Sequence, residues 1–256
     1  PEYGEALLGT TENIGGPVAT GPIEYVGESA LQRELQRFPD AVETEDAEFA
    51  GRFHTAPSPG AVLRFADTGA TLQIDAPDML AGYTLTYKDA TAEEFREAVR
   101  THVQAINRAL EGLPADRVRL HACWGNYPGP HHRDVELPSV IDEIYRADVS
   151  ALVVEGANPR HQHTYETFEE HPLPADWQLI PGVIDVKTNI VEHPEVVANR
   201  LERFADAVGD PARLVAGADC GFETVVEGAN VVHPTVVWKK LKALVDGAAL
   251  ASDRLF

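Results

Sequence analysis

Short apolar runs alternate along the chain with longer amphipathic stretches. The runs have the length and composition of buried strands, whereas the stretches repeat apolar positions at helical spacing. Such alternation is typical of an α/β fold built around a parallel sheet. The pattern predicts strands at 18–26, 71–75, 118–123, 151–155, 179–185 and 214–219. It predicts helices at 29–38, 91–113, 138–147, 194–208 and 234–251.

Local signals place several of the helix ends. Ser29 is a candidate N-cap, and Thr91 with Glu94 forms a capping-box pattern at the start of its helix. Pro138 stands in the first turn of the next predicted helix, where its missing N–H is not needed. Residues 40–60 are rich in acidic residues, Ala and Pro, and are predicted to form a surface loop.

Length and composition favour one large domain. The 256 residues, of which 44% are apolar, suit a single domain spanning 1–256, since α/β barrels commonly reach this size. No apolar run approaches the length of a membrane span, and no leader-like segment opens the chain. The two cysteines form no disulfide framework and favour a reducing compartment. We therefore expect a cytoplasmic protein with no membrane partner.

The chain is strongly acidic. Its 41 Asp and Glu residues exceed its 21 Lys and Arg residues, which gives a formal net charge of -20. A surface of this sign repels nucleic acid and anionic membranes, so neither is expected as a partner. Adaptation to high salt and an ordinary acidic enzyme both explain the charge, and composition does not choose between them.

Both cysteines stand where metal ligands are expected. His121 and Cys123 are two residues apart on a predicted strand, so their side chains share one face. Cys220 and Glu155 each stand at the end of another apolar strand. One nitrogen, two sulfurs and one carboxylate form a plausible zinc shell. The alternative for each cysteine alone is a buried apolar side chain, which is a common environment for free thiols.

Polar residues fall at the C-terminal ends of the predicted strands. In a (β/α)8 barrel, this is the face where active sites are built. The pattern therefore favours a barrel, although the predicted strands are fewer than the eight that a closed barrel requires. The polar residues are Asp75, His121, Cys123, Glu155, Asp185 and Cys220.

A series of short motifs carries a family resemblance. They read LQIDAPD at 72–78, HACWGN at 121–126, PHHRD at 130–134, NPRH at 158–161, PGVID at 181–185, VEHP at 191–194 and DCGF at 219–222. GPI at 21–23 and SPG at 58–60 extend the match toward the N-terminus. Together they resemble the cobalamin-independent methionine synthase superfamily, and most of all its short members, which include epoxyalkane:coenzyme M transferase.

The resemblance implies a TIM-type barrel that holds one zinc ion through His121, Cys123, Glu155 and Cys220. In this family the acceptor thiol is held as a zinc-thiolate, and its sulfur attacks a folate methyl group or an epoxide carbon. A free thiol with a pKa of about 8.5 is mostly protonated at neutral pH, and zinc coordination removes that proton. Asp75 matches the position that contacts the amino group of homocysteine in the methionine synthases.

Asp185 and two arginines extend the expected site. Asp185 lies on the same rim of the sheet and is expected to position substrate. Arg133 and Arg160 are candidates to grip a carboxylate or sulfonate through bidentate bonds, or else to pair with nearby carboxylates. For Asp75 the alternative role is a cap on the turn before Pro77.

A group of loop histidines has two interpretations. They suggest either a second metal site or ordinary hydrogen-bonding groups, and loop histidines are more often the latter. The residues are His131, His132, His161 and His163.

Three departures from the family pattern bear on activity. Family members usually begin earlier, with strands that carry a Gly-Ser-(Leu/Phe)-Pro motif, and this motif is absent here. Only residues 61–71 stand where the family has a helix. Lys187 stands near the position of a catalytic histidine in the methionine synthases. We therefore expect a barrel that lacks its N-terminal strands.

These observations predict a zinc-dependent transferase that alkylates a thiol. The expected reaction is methyl transfer to a homocysteine-like acceptor, with a methylfolate among the candidate donors. Epoxide opening by a thiol such as coenzyme M is the alternative within this chemistry. A different class of function is a truncated, inactive relative that keeps zinc as a structural clip. A homo-oligomer in which a second chain supplies the missing strands is a further expectation.

Overall fold

The computed structural model describes residues 53–56, 71–222 and 232–256. The strand predicted at 18–26 and the helix predicted at 29–38 lie outside these residues. The motifs at 21–23 and 58–60 also lie outside them, as do residues 61–70 of the segment that stands where the family has a helix.

The strands of the described residues form a single parallel sheet, as the alternating pattern predicts. Their order across the sheet is β1-β2-β3-β4-β5-β6, so each strand pairs with its neighbours in sequence. Consecutive parallel strands joined by helical segments are the arrangement of a (β/α)8 barrel. The strands are β1 (Phe53–Ala56), β2 (Thr71–Ala76), β3 (Val118–Ala122), β4 (Ala151–Val154), β5 (Gln178–Ile184) and β6 (Gly217–Ala218).

Strand β1 overturns one expectation. It lies inside the segment 40–60, which the sequence predicts to be a surface loop, and it pairs in parallel with the start of β2. The prediction is wrong at these positions because a strand of this length, with polar residues in it, has too weak an apolar signal to be separated from a loop. At the other edge β6 is shorter than predicted, and Leu214 forms only an isolated bridge to Leu179 of β5.

The helices lie between consecutive strands or follow the last one. The α-helices of the described residues are α1 (Ala81–Leu85), α2 (Ala92–Ala109), α3 (Ile141–Ile144), α4 (Glu166–Glu170), α5 (Pro194–Val208) and α6 (Pro234–Leu255). Short 3-10 helices cover Pro77–Met79, Ala115–Arg117, Leu137–Ser139 and Pro211–Arg213.

The long helices begin where the sequence signals place them. At α2 the Thr91 hydroxyl accepts from the Glu94 N–H at 3.3 Å, and the Glu94 carboxylate accepts from the Thr91 N–H at 2.8 Å, which completes the capping box. Helices α5 and α6 each begin with proline after a histidine N-cap, His193 and His233, whose ring nitrogen accepts from a first-turn N–H. Helix α5 ends at Gly209, whose φ of 76° is readily adopted only by glycine.

Other helix predictions hold only in part. The helix predicted at 138–147 is divided into a 3-10 turn and the short α3. Helix α2 ends before the predicted residue 113, and α6 continues past the predicted residue 251. Helices α1 and α4 were not predicted, because five residues are too few to show a helical period.

The main hydrophobic core lies between the sheet and its helices. Phe95 and Val99 of α2 and Ile141 of α3 pack in one cluster with Leu120 of β3 and Leu152 of β4, and all are fully buried. A second cluster joins α5 and α6 to the end of β5. No helix of the described residues is both long and apolar enough to cross a membrane.

A buried carboxylate fastens α2 to α3. Glu143 is fully buried and accepts from Arg96 at 3.0 Å and from Arg100 at 3.0 and 3.1 Å, with Arg146 at 3.2 Å. The hydrogen bond from Arg100 is the largest of the effects that lower the pKa of Glu143 to about 2. This cluster holds the helical layer in place behind the strands that carry the site.

Candidate metal centre

The two thiols meet at the C-terminal edge of the sheet. Cys123 directly follows β3, and Cys220 stands two residues after the end of β6. Their sulfur atoms lie 3.1 Å apart, and the Cys220 sulfur lies 3.6 Å from Nε2 of His121. The three donor atoms all lie within 4.8 Å of one another. Parallel strands bring their C-terminal ends to one edge, so residues far apart in sequence converge there.

His121 is oriented by the neighbouring strand. Its Nδ1 lies 3.0 Å from Oδ1 of Asp75, which leaves Nε2 directed at the thiols. Asp75 is itself held by Gln73, whose amide nitrogen donates at 2.9 Å. A carboxylate on the outer nitrogen of a metal-binding histidine fixes its tautomer and ring direction. Asp75 keeps 40% of its side chain exposed.

Glu155 borders the three donors. It follows β4, is fully buried, and places Oε1 at 3.9 Å from the Cys123 sulfur. Its other oxygen accepts from Asn158 at 2.6 Å, His161 at 3.0 Å and Lys187 at 3.3 Å. Burial opposes its charge, but His161 and Lys187 outweigh burial and lower the pKa of Glu155. The residue is therefore a carboxylate with one oxygen held by the protein and one turned toward the sulfurs.

The thiol pair favours a single thiolate at Cys123. The hydrogen bond from Cys220 is the largest effect on Cys123, and with His121 it lowers the pKa of Cys123 to about 5. The same bond to Cys123 raises the pKa of Cys220, which keeps its proton. For His121 burial opposes the charge, but the hydrogen bonds to Asp75 and Cys123 outweigh it and raise its pKa to about 10.

A glycine turn completes the thiolate environment. The Gly125 N–H donates to the Cys123 sulfur at 3.2 Å. Gly125 has φ 95°, a left-handed conformation that side chains other than glycine rarely adopt. The backbone therefore supports negative charge on Cys123.

The donor set fits zinc. Two sulfurs and one imidazole nitrogen are ligands that zinc prefers, and Oε1 of Glu155 is the nearest carboxylate oxygen for a fourth position. Of the predicted ligands, His121, Cys123 and Cys220 form the close cluster, and Glu155 lies at its border.

Asp219 binds the backbone of the loop that follows Glu155, and the sequence did not indicate this role. The fully buried Asp219 accepts from the backbone N–H groups of Gly156 at 2.9 Å, Ala157 at 2.8 Å and Asn158 at 2.9 Å. It approaches the backbone so closely that a Cβ on Gly182 would lie 2.2 Å from its Oδ1. The sequence feature that could have indicated this role is the position of Asp219 directly before Cys220.

Two of the four loop histidines, His131 and His161, are buried in contact with carboxylates. Asp134 places Oδ2 at 2.7 Å from Nδ1 of His131 and 3.0 Å from Nε2 of His161. The His161 ring stacks on Trp124 with centroids 4.0 Å apart. His132 and His163 are exposed and do not join them. In the part of the chain that the structure describes, these histidines form no metal-binding group, which favours the hydrogen-bonding interpretation.

Asp185 lies on the same edge of the sheet. It is buried, and its Oδ1 accepts from the Lys187 N–H at 3.0 Å. Its own N–H donates to Glu192 at 2.8 Å, and Glu192 pairs with the fully buried Lys240 of α6 at 2.9 Å. The Lys187 ammonium donates to Glu155 at 3.3 Å, so this loop contacts the carboxylate that borders the three donors.

The two predicted substrate arginines line a common pocket and are not members of the cluster of three donors. Arg160 pairs with Glu136 at 2.8 Å, and Arg133 is exposed, with its backbone oxygen accepting from Thr84 at 3.2 Å. The pocket that both line is open to solvent.

Comparison with known proteins identifies the family. Residues 20–248 match the family model described as cobalamin-independent synthase, catalytic domain. The chain belongs to this family. The resemblance inferred from the motifs is confirmed.

Two characterised proteins are similar to the chain in sequence. A 2-hydroxypropyl-CoM lyase from Xanthobacter autotrophicus is 28% identical over an alignment of 179 residues, and the match covers 60% of this chain and 45% of the lyase. A methionine synthase from Sulfurisphaera tokodaii is 24% identical over an alignment of 165 residues, and the match covers 62% of this chain and 42% of the synthase. The match covers less than half of the length of either relative.

A solved member of the family shows the fold. A B12-independent methionine synthase from Shewanella sp. W3-18-1, solved in complex with selenomethionine, superposes with a TM-score of 0.62. The superposition covers 94% of this chain and 70% of the synthase, at 18% sequence identity. The expectation of a TIM-type barrel built from part of the usual strand set is therefore confirmed.

Proposed function

We propose that the chain is a zinc-dependent transferase that activates a thiol for alkylation. The observation that carries the proposal is the convergence of the His121, Cys123 and Cys220 donor atoms within 4.8 Å. Zinc bound there supplies a Lewis acid that lowers the pKa of a coordinating thiol. The protein's own groups supply the rest of the site.

Each protein group has a separate task. Asp75 holds Nδ1 of His121, so Nε2 stays free of a proton when the metal is bound. Glu155 is fixed by three donors on one oxygen and presents the other to the centre. Burial excludes water from Cys123 and Glu155, which strengthens the electrostatic interactions between the donors and the ion.

Methyl transfer to a homocysteine-like acceptor is the proposed reaction. In this proposal the partly exposed Asp75 would accept from the ammonium of an amino acid whose thiol would lie at the donor cluster. Asp185 lies on the same edge and contributes to positioning the acceptor. The donor would be a methylated small molecule, and a methylfolate is the candidate that the family suggests. Metal binding by Cys123 and Cys220 would require both thiols to stay reduced, which favours a cytoplasmic location.

Epoxide opening by a thiol such as coenzyme M is the second candidate. It is supported by the match to a protein named 2-hydroxypropyl-CoM lyase, which shows the higher identity of the two relatives. The metal centre serves both reactions, because each needs a thiolate as the nucleophile. The reactions differ in the carbon electrophile and in the polar group at the far end of the thiol.

Zinc content and activity test the proposal together. We expect about one zinc per purified chain and a large loss of zinc in Cys220→Ser and His121→Ala, since each removes a ligand. His163→Ala is the matched control, because this histidine is exposed and lies outside the centre. Thiol consumption is then measured with homocysteine plus a methylfolate, and separately with coenzyme M plus a small epoxide. Full zinc in both ligand variants contradicts the site, and zinc without thiol consumption in either assay supports a structural clip.

A further inference from the structure

Two fully buried carboxylates lie next to each other beside the metal centre. The side-chain nitrogen of Asn158 donates to Oε2 of Glu155 at 2.6 Å and to Oδ2 of Asp219 at 2.9 Å, so one neutral amide joins the two acids. Asp219 also directly precedes Cys220, one of the three metal donors. Like charges this close repel each other, and a buried charge is stable only when it is paired. This part of the centre therefore needs a cation.

Lys187 supplies that cation. It stands in the loop after β5, and its ammonium donates to Oε2 of Glu155 at 3.3 Å, while only 12% of its side chain is exposed. Within the described residues it is the one lysine or arginine that pairs with Glu155. His161 also contacts Glu155, but its other ring nitrogen lies 3.0 Å from Asp134, so it serves a third carboxylate as well.

The lysine contacts the side of Glu155 that does not face the sulfurs. It meets Oε2, whereas Oε1 is the oxygen that lies 3.9 Å from the Cys123 sulfur. Its replacement would therefore remove no metal donor, and Asn158 and His161 would still hold Glu155. The structure separates the charge of Lys187 from the ligands of the ion.

We propose that Lys187 balances the negative charge of the centre so that a thiol can bind there as its thiolate, with its proton released to solvent. A zinc ion with two cysteine thiolates and one carboxylate already carries a net negative charge before any substrate binds. An incoming thiolate adds one more negative charge, and a fixed ammonium in a buried site offsets it. Lys187 is thus a positioning residue that acts through Glu155. The inference rests on the proposed function and names a residue on which thiol binding depends.

A variant without the charge separates thiol binding from metal binding. Lys187→Met should keep the zinc content of the natural chain, because no donor is lost. Its thiol affinity should fall by about tenfold. This affinity is measured on the cobalt(II)-loaded full chain from the thiolate-to-cobalt absorption during titration with the thiol. Lys187→Arg keeps the charge and should retain most of the affinity, and Lys242→Met, which removes an exposed lysine on α6, is the matched control.

Three thiols show whether the charge acts on the sulfur or on the far end of the substrate. Homocysteine and coenzyme M carry an anionic group there, and 2-mercaptoethanol does not. Because the proposed effect concerns the thiolate itself, Lys187→Met should weaken the binding of all three by similar factors. Unchanged binding of 2-mercaptoethanol with weaker binding of the other two overturns the proposal, since Lys187 would then bind the substrate's own anion.

Other outcomes are equally decisive. A loss of zinc in step with the loss of thiol affinity, or equal losses in Lys187→Met and Lys187→Arg, indicates a structural role and overturns the proposal. Thiol affinity in Lys187→Met equal to that of the natural chain overturns this inference alone. If the loaded natural chain binds none of the three thiols, the proposed function is contradicted, and this inference with it.

Discussion

The contact between Asp75 and His121 gives a quantitative prediction for metal affinity. Replacing Asp75 with alanine removes the carboxylate 3.0 Å from Nδ1 of His121 and lets the ring rotate or change tautomer. Loss of such a partner typically weakens metal binding by about 10- to 100-fold. The same carboxylate also stabilises the protonated form of the His121 ring, which must lose a proton before it binds a metal ion. The carboxylate is also 40% exposed, so we expect a loss at the lower end of this range. We expect about a tenfold loss, which is about 1.4 kcal/mol.

Competition with a chromophoric chelator at fixed pH measures this loss. Asp75→Asn should lose less than Asp75→Ala, because the amide oxygen still accepts from Nδ1–H. Asp78→Asn is the matched control, since it removes a second carboxylate that lies 3.2 Å from a histidine, His102, outside the metal centre. Zinc affinity in Asp75→Ala equal to that of the natural chain refutes the orienting role of this carboxylate.

Two further predictions concern stability. Glu143→Gln should lower the free energy of unfolding at neutral pH by about 2 kcal/mol. The pKa shift of Glu143 alone corresponds to about 3 kcal/mol, and we reduce that figure because its arginine partners are partly exposed to solvent. Because the folded pKa of Glu143 is lowered to about 2 from 4.5, its contribution is present above pH 4.5 and is lost as pH falls toward 2. Urea titrations across this range should show the natural chain converging on the variant, with the exposed Glu97→Gln as control, and a constant difference contradicts the explanation. Gly182→Ala should cost about 1–3 kcal/mol and reduce zinc affinity, since its Cβ would lie 2.2 Å from Oδ1 of Asp219. Gly82→Ala, whose Cβ meets only ordinary contacts from 3.5 Å, is its control, and equal behaviour of the two variants contradicts the packing argument.

The convergence of the three donor residues could be predicted from the sequence. Strand periodicity is a local pattern, but parallel pairing of the strands brings residues that are distant in sequence to the same edge of the sheet. His121 and Cys123 fall two residues apart, and Cys220 follows another strand, so one edge collects all three. The same rules place Glu155 on that edge, but its distance from the sulfurs depends on Asn158 and on how the next loop turns. Residue spacing carries no information on that distance.

What the sequence did not reveal depends on tertiary contacts. Strand β1 is short and lacks a distinct apolar pattern, so only its pairing with β2 defines it. Asp219 resembles any polar residue at a strand end, and its role depends on the three backbone N–H groups that a separate loop presents to it. Arg133 and Arg160 were predicted as anion-binding residues, but the pocket that joins them is formed by three loops whose paths are not encoded locally.

The most direct test of the thiol-activation proposal is the zinc X-ray absorption spectrum with and without homocysteine. Without the thiol, the spectrum should show two sulfur neighbours, from Cys123 and Cys220, together with nitrogen or oxygen neighbours. With homocysteine we expect a third sulfur at about 2.3 Å. An unchanged sulfur count with homocysteine and with coenzyme M would contradict thiol activation and leave the metal with a structural role.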